Sequence, residues 1–105
     1  MRRGDVWWVE IPGPAGRRPA VIVTRDSAIQ FRSVVAVVPL TTRIRNIPQV
    51  EVMLGPAEGL PRVCVANCDV IQSIEKSHLR GRITTLDSAK LSEIKSAIRF
   101  ALALE

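Results

Sequence analysis

Side chains able to do chemistry are few in this sequence, and their types narrow what that chemistry can be. His78 is the only histidine, and Cys64 and Cys68 are the only cysteines. If residues 63 to 68 form a strand, the two sulfurs lie roughly 13 Å apart, at about 3.3 Å per residue, which exceeds disulfide reach. Three soft ligands also fall short of a closed zinc site. No metal or cofactor is therefore expected, and both cysteines read as small apolar fillers. There is no Ser/His/Asp set with a histidine to spare, no phosphate-binding Gly-x-x-x-x-Gly-Lys and no His-Glu-x-x-His. The carboxylates are scattered and do not form a paired acid and base. What remains is arginine, which supplies twelve of the fifteen basic residues under a formal charge of +5 and a pI near 10.2. Its planar fork of donors matches phosphate oxygens, so the balance suits a nucleic-acid partner, with a merely soluble basic protein an equal alternative on charge alone.

One reaction suits arginines, hydroxyls and at most one carboxylate. In RNA the 2′-hydroxyl lies beside the scissile phosphate, so the substrate brings its own nucleophile. Intramolecular attack of that kind gains several kcal/mol from proximity alone. The protein must align the hydroxyl, neutralise charge growing on phosphorus and help protons move. Arginine forks and hydroxyl donors aimed at the phosphate do the middle task well, and no metal is needed for it.

The elements that must hold such groups can be read from pattern. Residues 5 to 11, Asp-Val-Trp-Trp-Val-Glu-Ile, are β-branched and aromatic and predict a strand. Trp7 and Trp8 must face opposite sides of it; one is expected in the core, the other at an interface or stacked on a base. Pro12 to Gly16 breaks the run. Pro19–Thr24 and Val34–Leu40 are apolar on both faces and suit central strands, with the proline tolerated at a first residue. Residues 41 to 48 form a polar, basic loop. Val50, Val52 and Leu54 alternate with Glu51 and Met53, which predicts a half-exposed strand. A Gly/Pro-rich turn spans 55 to 61, and Val63–Ile71 is a strand interrupted by Asn67 and Asp69. Ser73–Arg80 is polar with room for one helical turn, which makes His78 a surface residue, and Arg82–Thr85 is a short strand. The period then changes: Leu91, Ile94, Ile98, Ala101 and Leu102 follow helical spacing behind Asp87, a good N-cap, with Leu86 and Leu91 placed as a hydrophobic staple.

Five or six short strands and one C-terminal helix predict a single α+β domain over residues 1–105, its strands curled into a small barrel or half-barrel. At 47% apolar residues the chain can fill that core and is not disordered. No run of about 18 apolar residues exists to span a bilayer. Met1-Arg2-Arg3 leads to Asp5 without a signal-peptide core. The expectation is a cytoplasmic protein.

Four blocks then carry a specific resemblance. Arg3-Gly4-Asp5-Val6-Trp7-Trp8-Val9, Arg18-Pro19-Ala20-Val21-Ile22-Val23, Val38-Pro39-Leu40-Thr41-Thr42 and Val65-Ala66-Asn67-Cys68-Asp69-Val70-Ile71-Gln72-Ser73-Ile74 are similar, in this order and spacing, to those of the MazF/PemK toxins. The terminal amphipathic helix fits as well. The resemblance implies an SH3-like barrel of the CcdB/MazF type that works as a homodimer. It also implies metal-independent cleavage of single-stranded RNA at short sequences, leaving 2′,3′-cyclic phosphate and 5′-hydroxyl ends, and silencing by a MazE-like antitoxin. It places the catalytic arginine on Arg18 and the catalytic threonine on Thr41, one at a strand start and one at a strand end. A guanidinium releases its proton too reluctantly to be a good general base, so Arg18 is expected to stabilise charge above all. The expected RNA contacts are Arg17, Thr42, Arg43, Arg45, Asn67 and Asp69. Asn67 and Asp69 have an equally plain alternative, the satisfaction of backbone groups inside the fold.

The chain departs from the pattern in its first loop. Many members carry a Gly-Ser-Glu element before Arg-Pro, whereas Pro12–Arg17 is short and holds no carboxylate, leaving Glu10 as a conceivable substitute. Two rival functions share the barrel. A CcdB-like gyrase poison needs a C-terminal Trp-Gly-Ile, where this chain reads Leu102-Ala103-Leu104-Glu105. A non-catalytic RNA-binding module usually exposes several aromatics, and this chain has four in all.

Overall fold

Two apolar, β-branched runs set the architecture, because strands buried on both faces must lie in the middle of a sheet. The computed structural model describes residues 1–11, 14 and 16–104, with Ile11 described through its backbone alone. Pro12, Gly13 and Ala15, most of the expected first break, lie outside the described residues. The chain runs β1 (Asp5–Ile11), β2 (Gly16–Ile22), a four-residue α1 (Asp26–Ile29), β3 (Val34–Thr41), β4 (Glu51–Leu54), β5 (Cys64–Asn67), β6 (Gln72–Glu75), β7 (Leu79–Thr85) and α2 (Ser88–Ala101). Single 3₁₀ turns occupy Pro56–Glu58 and Lys76–His78.

The strands join in the order β4-β5-β3-β2-β1-β7, all antiparallel, with β6 also paired to β3. β3 is the hub. One of its edges meets β2, and the other is shared between β6, opposite residues 34 to 37, and β5, opposite residues 40 and 41. Pro39, which has no N–H to offer a ladder, sits in the gap between those two partners. β4, β6 and β7 each keep one unpaired edge among the described residues, so the sheet curls in a barrel-like way without closing.

Strand alternation sorts the core into two clusters. One face gathers Val6, Val21, Val38 and Leu40 with Val52, Leu54 and Ala66, and α2 covers it with Ile94 and Ala97. Full burial of a side chain such as Ile94 is worth about 1.5–3 kcal/mol, which fastens the helix to the sheet. Asp87 caps α2 as its sequence position requires, its carboxylate accepting the Lys90 N–H at 2.8 Å. The other face gathers Val9, Ala20, Ile22, Val35 and Val37 around Ile29, with Trp7 packed against them.

Five expectations change on folding. The strand expected over 63–71 breaks after Asn67, whose side-chain oxygen accepts the Asp69 N–H at 3.1 Å and turns the chain. The polar stretch from Ser73 holds most of an edge strand, β6, besides its helical turn. β7 begins at Leu79 rather than 82, with register shifts on its β1 side. Glu51, expected to face outward, is only 8% exposed. Leu102 falls beyond α2 and is exposed instead of packed. His78 is half-buried in its turn.

Candidate active site

Antiparallel pairing brings the two expected catalytic residues to matching positions. β2 and β3 pair with Ala20 opposite Pro39, Val21 opposite Val38 and Ile22 opposite Val37. Continued by two residues, that register sets Arg18 opposite Thr41. Both residues line one cleft of about 260 Å³, together with Pro19, Leu40, Thr42 and Cys64. Arg18 and Thr42 are exposed and Thr41 is half-buried, so the polar groups stand at the rim above an apolar floor.

The local chemistry of each group follows from its partners. Among the described residues the Arg18 guanidinium has no ion pair and no side-chain hydrogen bond, which leaves its fork open to an anion. Thr41 Oγ1 accepts the Arg43 N–H at 3.1 Å. That bond fixes the oxygen while leaving its O–H proton to be donated. Cys64, in the cleft wall, is buried, and burial with the nearby Glu58 carboxylate raises its thiol pKa. It presents neutral sulfur and no nucleophile. Cys68 is pushed up to about 11 by burial and by Asp69, and both cysteines are free.

The other expected contacts divide. Thr42, Arg43 and Arg45 are exposed on the loop that leaves Thr41, beside the cleft. Arg17 is exposed as well, but it pairs with Glu10 while Arg18 pairs with Val9, so the two arginines project from opposite faces of β2. Glu10 shares the Arg17 face and accepts from Arg80 Nε at 2.5 Å, which turns it away from Arg18. It does not stand in for the missing carboxylate. Asp69 is exposed, whereas Asn67 is 8% exposed and committed to the turn. Of the two alternatives open for Asn67, the structure realises the internal one.

Glu51 lies outside this cleft but holds the loop that follows Thr41, a part its place in the sequence did not suggest. Its Oε2 accepts the Arg45 N–H at 2.9 Å and its Oε1 the Ile47 N–H at 2.8 Å. The Ile47 and Arg45 amides hold its carboxyl below the ordinary glutamate range against the opposing effect of burial. The readable signal was an acid set between two buried valines and just after an arginine loop. No group of three or more His, Cys, Asp or Glu side chains gathers among the described residues.

The chain that carries this arrangement is similar to known proteins in both sequence and fold. A family model described as "PemK-like, MazF-like toxin of type II toxin-antitoxin system" matches residues 2–102. The chain is 36% identical to the probable endoribonuclease MazF5 of Mycobacterium tuberculosis, covering 95% of this chain and 91% of that one. It is 32% identical to endoribonuclease MazF9 of the same organism, covering 99% and 98%. Among solved structures, Mycobacterium tuberculosis toxin MazF-mt6 superposes with a TM-score of 0.87 at 27% identity, covering 96% of this chain and 98% of that one. A mycobacterial endoribonuclease in complex with its cognate antitoxin gives the same TM-score at 28% identity, covering 100% and 97%. The chain therefore belongs to the PemK/MazF family of toxins of type II toxin–antitoxin systems.

Proposed function

We propose that this toxin is a sequence-selective endoribonuclease that cuts single-stranded RNA through the substrate's own 2′-hydroxyl. The observation that carries the reading is the meeting of Arg18 and Thr41 at the rim of one cleft. A phosphodiester placed there lies between an unpaired guanidinium and an oriented hydroxyl. As the 2′-oxygen attacks, negative charge grows on the phosphoryl oxygens; Arg18 neutralises it and Thr41 donates a hydrogen bond to it. The 2′-hydroxyl gives up its proton to solvent water, the bond from phosphorus to the 5′-oxygen breaks, the leaving oxygen takes a proton back from water, and the products are a 2′,3′-cyclic phosphate and a 5′-hydroxyl. No metal enters this scheme.

Thr42, Arg43 and Arg45 hold the RNA backbone on one side of the scissile bond, and Asp69 and Arg17 serve as outlying contacts. Asn67 acts beneath Asp69 as the support of its turn. The chain works as a homodimer, and the relative solved with its cognate antitoxin supports control by an antitoxin here too. Complementarity to the arginine-lined cleft calls for an acidic segment in that partner.

The test is cleavage of a long RNA in EDTA by the wild type, Arg18→Ala and Thr41→Ala. Discrete fragments from the wild type alone support the proposal. Intact RNA at protein in excess over substrate contradicts it. Retardation of RNA in a gel without cutting would point to a binding module, and trapped gyrase complexes to a topoisomerase poison.

A further inference from the structure

The loop between β3 and β4 poses a physical problem. Residues 42 to 49 are all exposed, so no buried side chain of their own pins them. A groove of about 450 Å³ lies between Pro48, Gln49 and Glu51 and the side of α2 at Ser96 and Phe100. Its backbone is nonetheless specified: Asn46 adopts a left-handed conformation at φ 62°. Asparagine adopts that conformation more readily than other non-glycine residues, so the loop turns there at little cost.

Up to Ile47 the acceptors that hold the loop's amides are side chains. From Thr41 to Ile47 the hydrogen bonds to loop amides among the described residues come from two residues. Thr41 Oγ1 takes the Arg43 N–H, and the Glu51 carboxylate takes the Arg45 and Ile47 N–H groups, one on each oxygen. The loop then closes by a backbone turn, with Val50 N–H and Glu51 N–H both donating to Ile47 O at 3.1 and 3.0 Å. Glu51 itself is held in β4 opposite Asn67, next to the turn that carries Asp69. One carboxylate thus ties the arginine loop to the rigid sheet.

The geometry points to Glu51 as a positioning residue for RNA binding, fixing Arg43 and Arg45 in the conformation that receives the substrate backbone. This rests on the RNA-cutting reading above. Glu51 touches neither the cleft nor the reacting atoms, so its loss acts on substrate capture and leaves the chemical step intact. A carboxylate is required because both oxygens must accept. Glutamine offers one accepting oxygen and turns an amide N–H₂ toward a second donor.

The experiment compares the wild type, Glu51→Gln, the double variant Arg43→Ala/Arg45→Ala, and the triple combination, using full-length protein. Steady-state cleavage is measured alongside binding of the same RNA made uncleavable by 2′-O-methylation. Glu51→Gln is expected to raise KM and the Kd for the methylated RNA about tenfold, with kcat within about twofold of wild type. In the double-variant background it should add less than about twofold, because residues acting through one another are not additive. A general loss of stability would instead lower kcat per total protein and add in full. Wild-type hydrogen exchange provides a readout free of any variant: the Arg45 and Ile47 amides should be protected although their residues are exposed. Unprotected amides, an unchanged KM in Glu51→Gln, or a full additional loss in the triple variant would each overturn the inference while wild-type cleavage stands. A wild type that does not cut RNA would overturn the functional reading beneath it.

Discussion

Asp5 and Glu51 are both buried carboxylates whose oxygens are taken up by hydrogen bonds, yet they fasten different kinds of segment. Asp5, 3% exposed, accepts from the Arg2 amide at 2.9 Å, Trp7 Nε1 at 3.3 Å and the Thr85 hydroxyl at 2.7 Å. It knots the start of β1, the end of β7 and a core tryptophan together. Glu51 accepts two amides from an exposed loop and has no core residue to fasten. The same chemistry builds a rigid corner in one case and an ordered binding surface in the other. The difference lies in what supplies the donors: at Asp5 they come from the N-terminal segment, a strand and a packed indole, at Glu51 from an exposed loop otherwise held by the Thr41 hydroxyl and one backbone turn. Thr41 takes part beside Glu51, accepting the Arg43 N–H of the same loop.

The contrast can be broken from either end. Arg18→Ala should have the largest effect on activity, lowering kcat about 10²–10³-fold, the usual loss when one donor to a developing oxyanion is removed. Its thermal midpoint should stay that of the wild type, because the guanidinium is exposed and unpaired among the described residues; a matching drop in midpoint would move Arg18 into the structural class. Asp5→Ala should do the reverse. Leaving the Arg2, Trp7 and Thr85 donors without their acceptor costs about 1–3 kcal/mol. In a domain of this size each kcal/mol moves Tm by about 4–8 °C. Cleavage per folded molecule should not change. Thr41→Ser, which keeps the hydroxyl, should retain most activity while Thr41→Ala loses it; equal losses would show that the methyl group rather than the oxygen matters.

Acidification gives the smallest effect. Burial raises the Asp5 pKa, but the bonds from Thr85, Arg2 and Trp7, with the N-terminal charge, outweigh it and the net shift is downward. Glu51 is lowered as well. A folded pKa below the unfolded one contributes stability that is present above the ordinary carboxylate range and is lost as pH falls through the lowered value. Urea midpoints of the wild type should therefore fall on acidification, and those of Asp5→Ala should fall less steeply. Parallel curves would mean that Asp5 is not ionised by its neighbours' bonds.

Much of this was legible in the sequence because burial leaves a pattern. The runs Pro19–Thr24 and Val34–Leu40 could only be interior strands, and Asp87 ahead of a 3.6-residue period could only start a helix. Arg18 and Thr41 were legible through the blocks around them. What stayed hidden was whatever depends on a partner distant in sequence. β6 shows no apolar alternation, since Gln72, Ser73 and Glu75 are exposed and the strand exists by its backbone pairing to β3. The interruption at Asn67 was visible, but whether its side chain looked outward or closed a turn was decided by local geometry. Glu51 looked like the polar half of an alternating strand. Its burial follows from the loop folding back over it, which no period records.

The central claim is that a guanidinium and a hydroxyl at one cleft drive attack by the RNA's own 2′-oxygen. The most direct test is the chemistry of the cut ends, determined in EDTA on an RNA cleaved at a single position, beside the same RNA with a 2′-deoxy sugar on the 5′ side of that bond. The expected result is a 2′,3′-cyclic phosphate and a 5′-hydroxyl from the all-ribose strand, and no cut in the deoxy-substituted one. Ends bearing a 5′-phosphate, or equal cleavage of the deoxy-substituted strand, would contradict it.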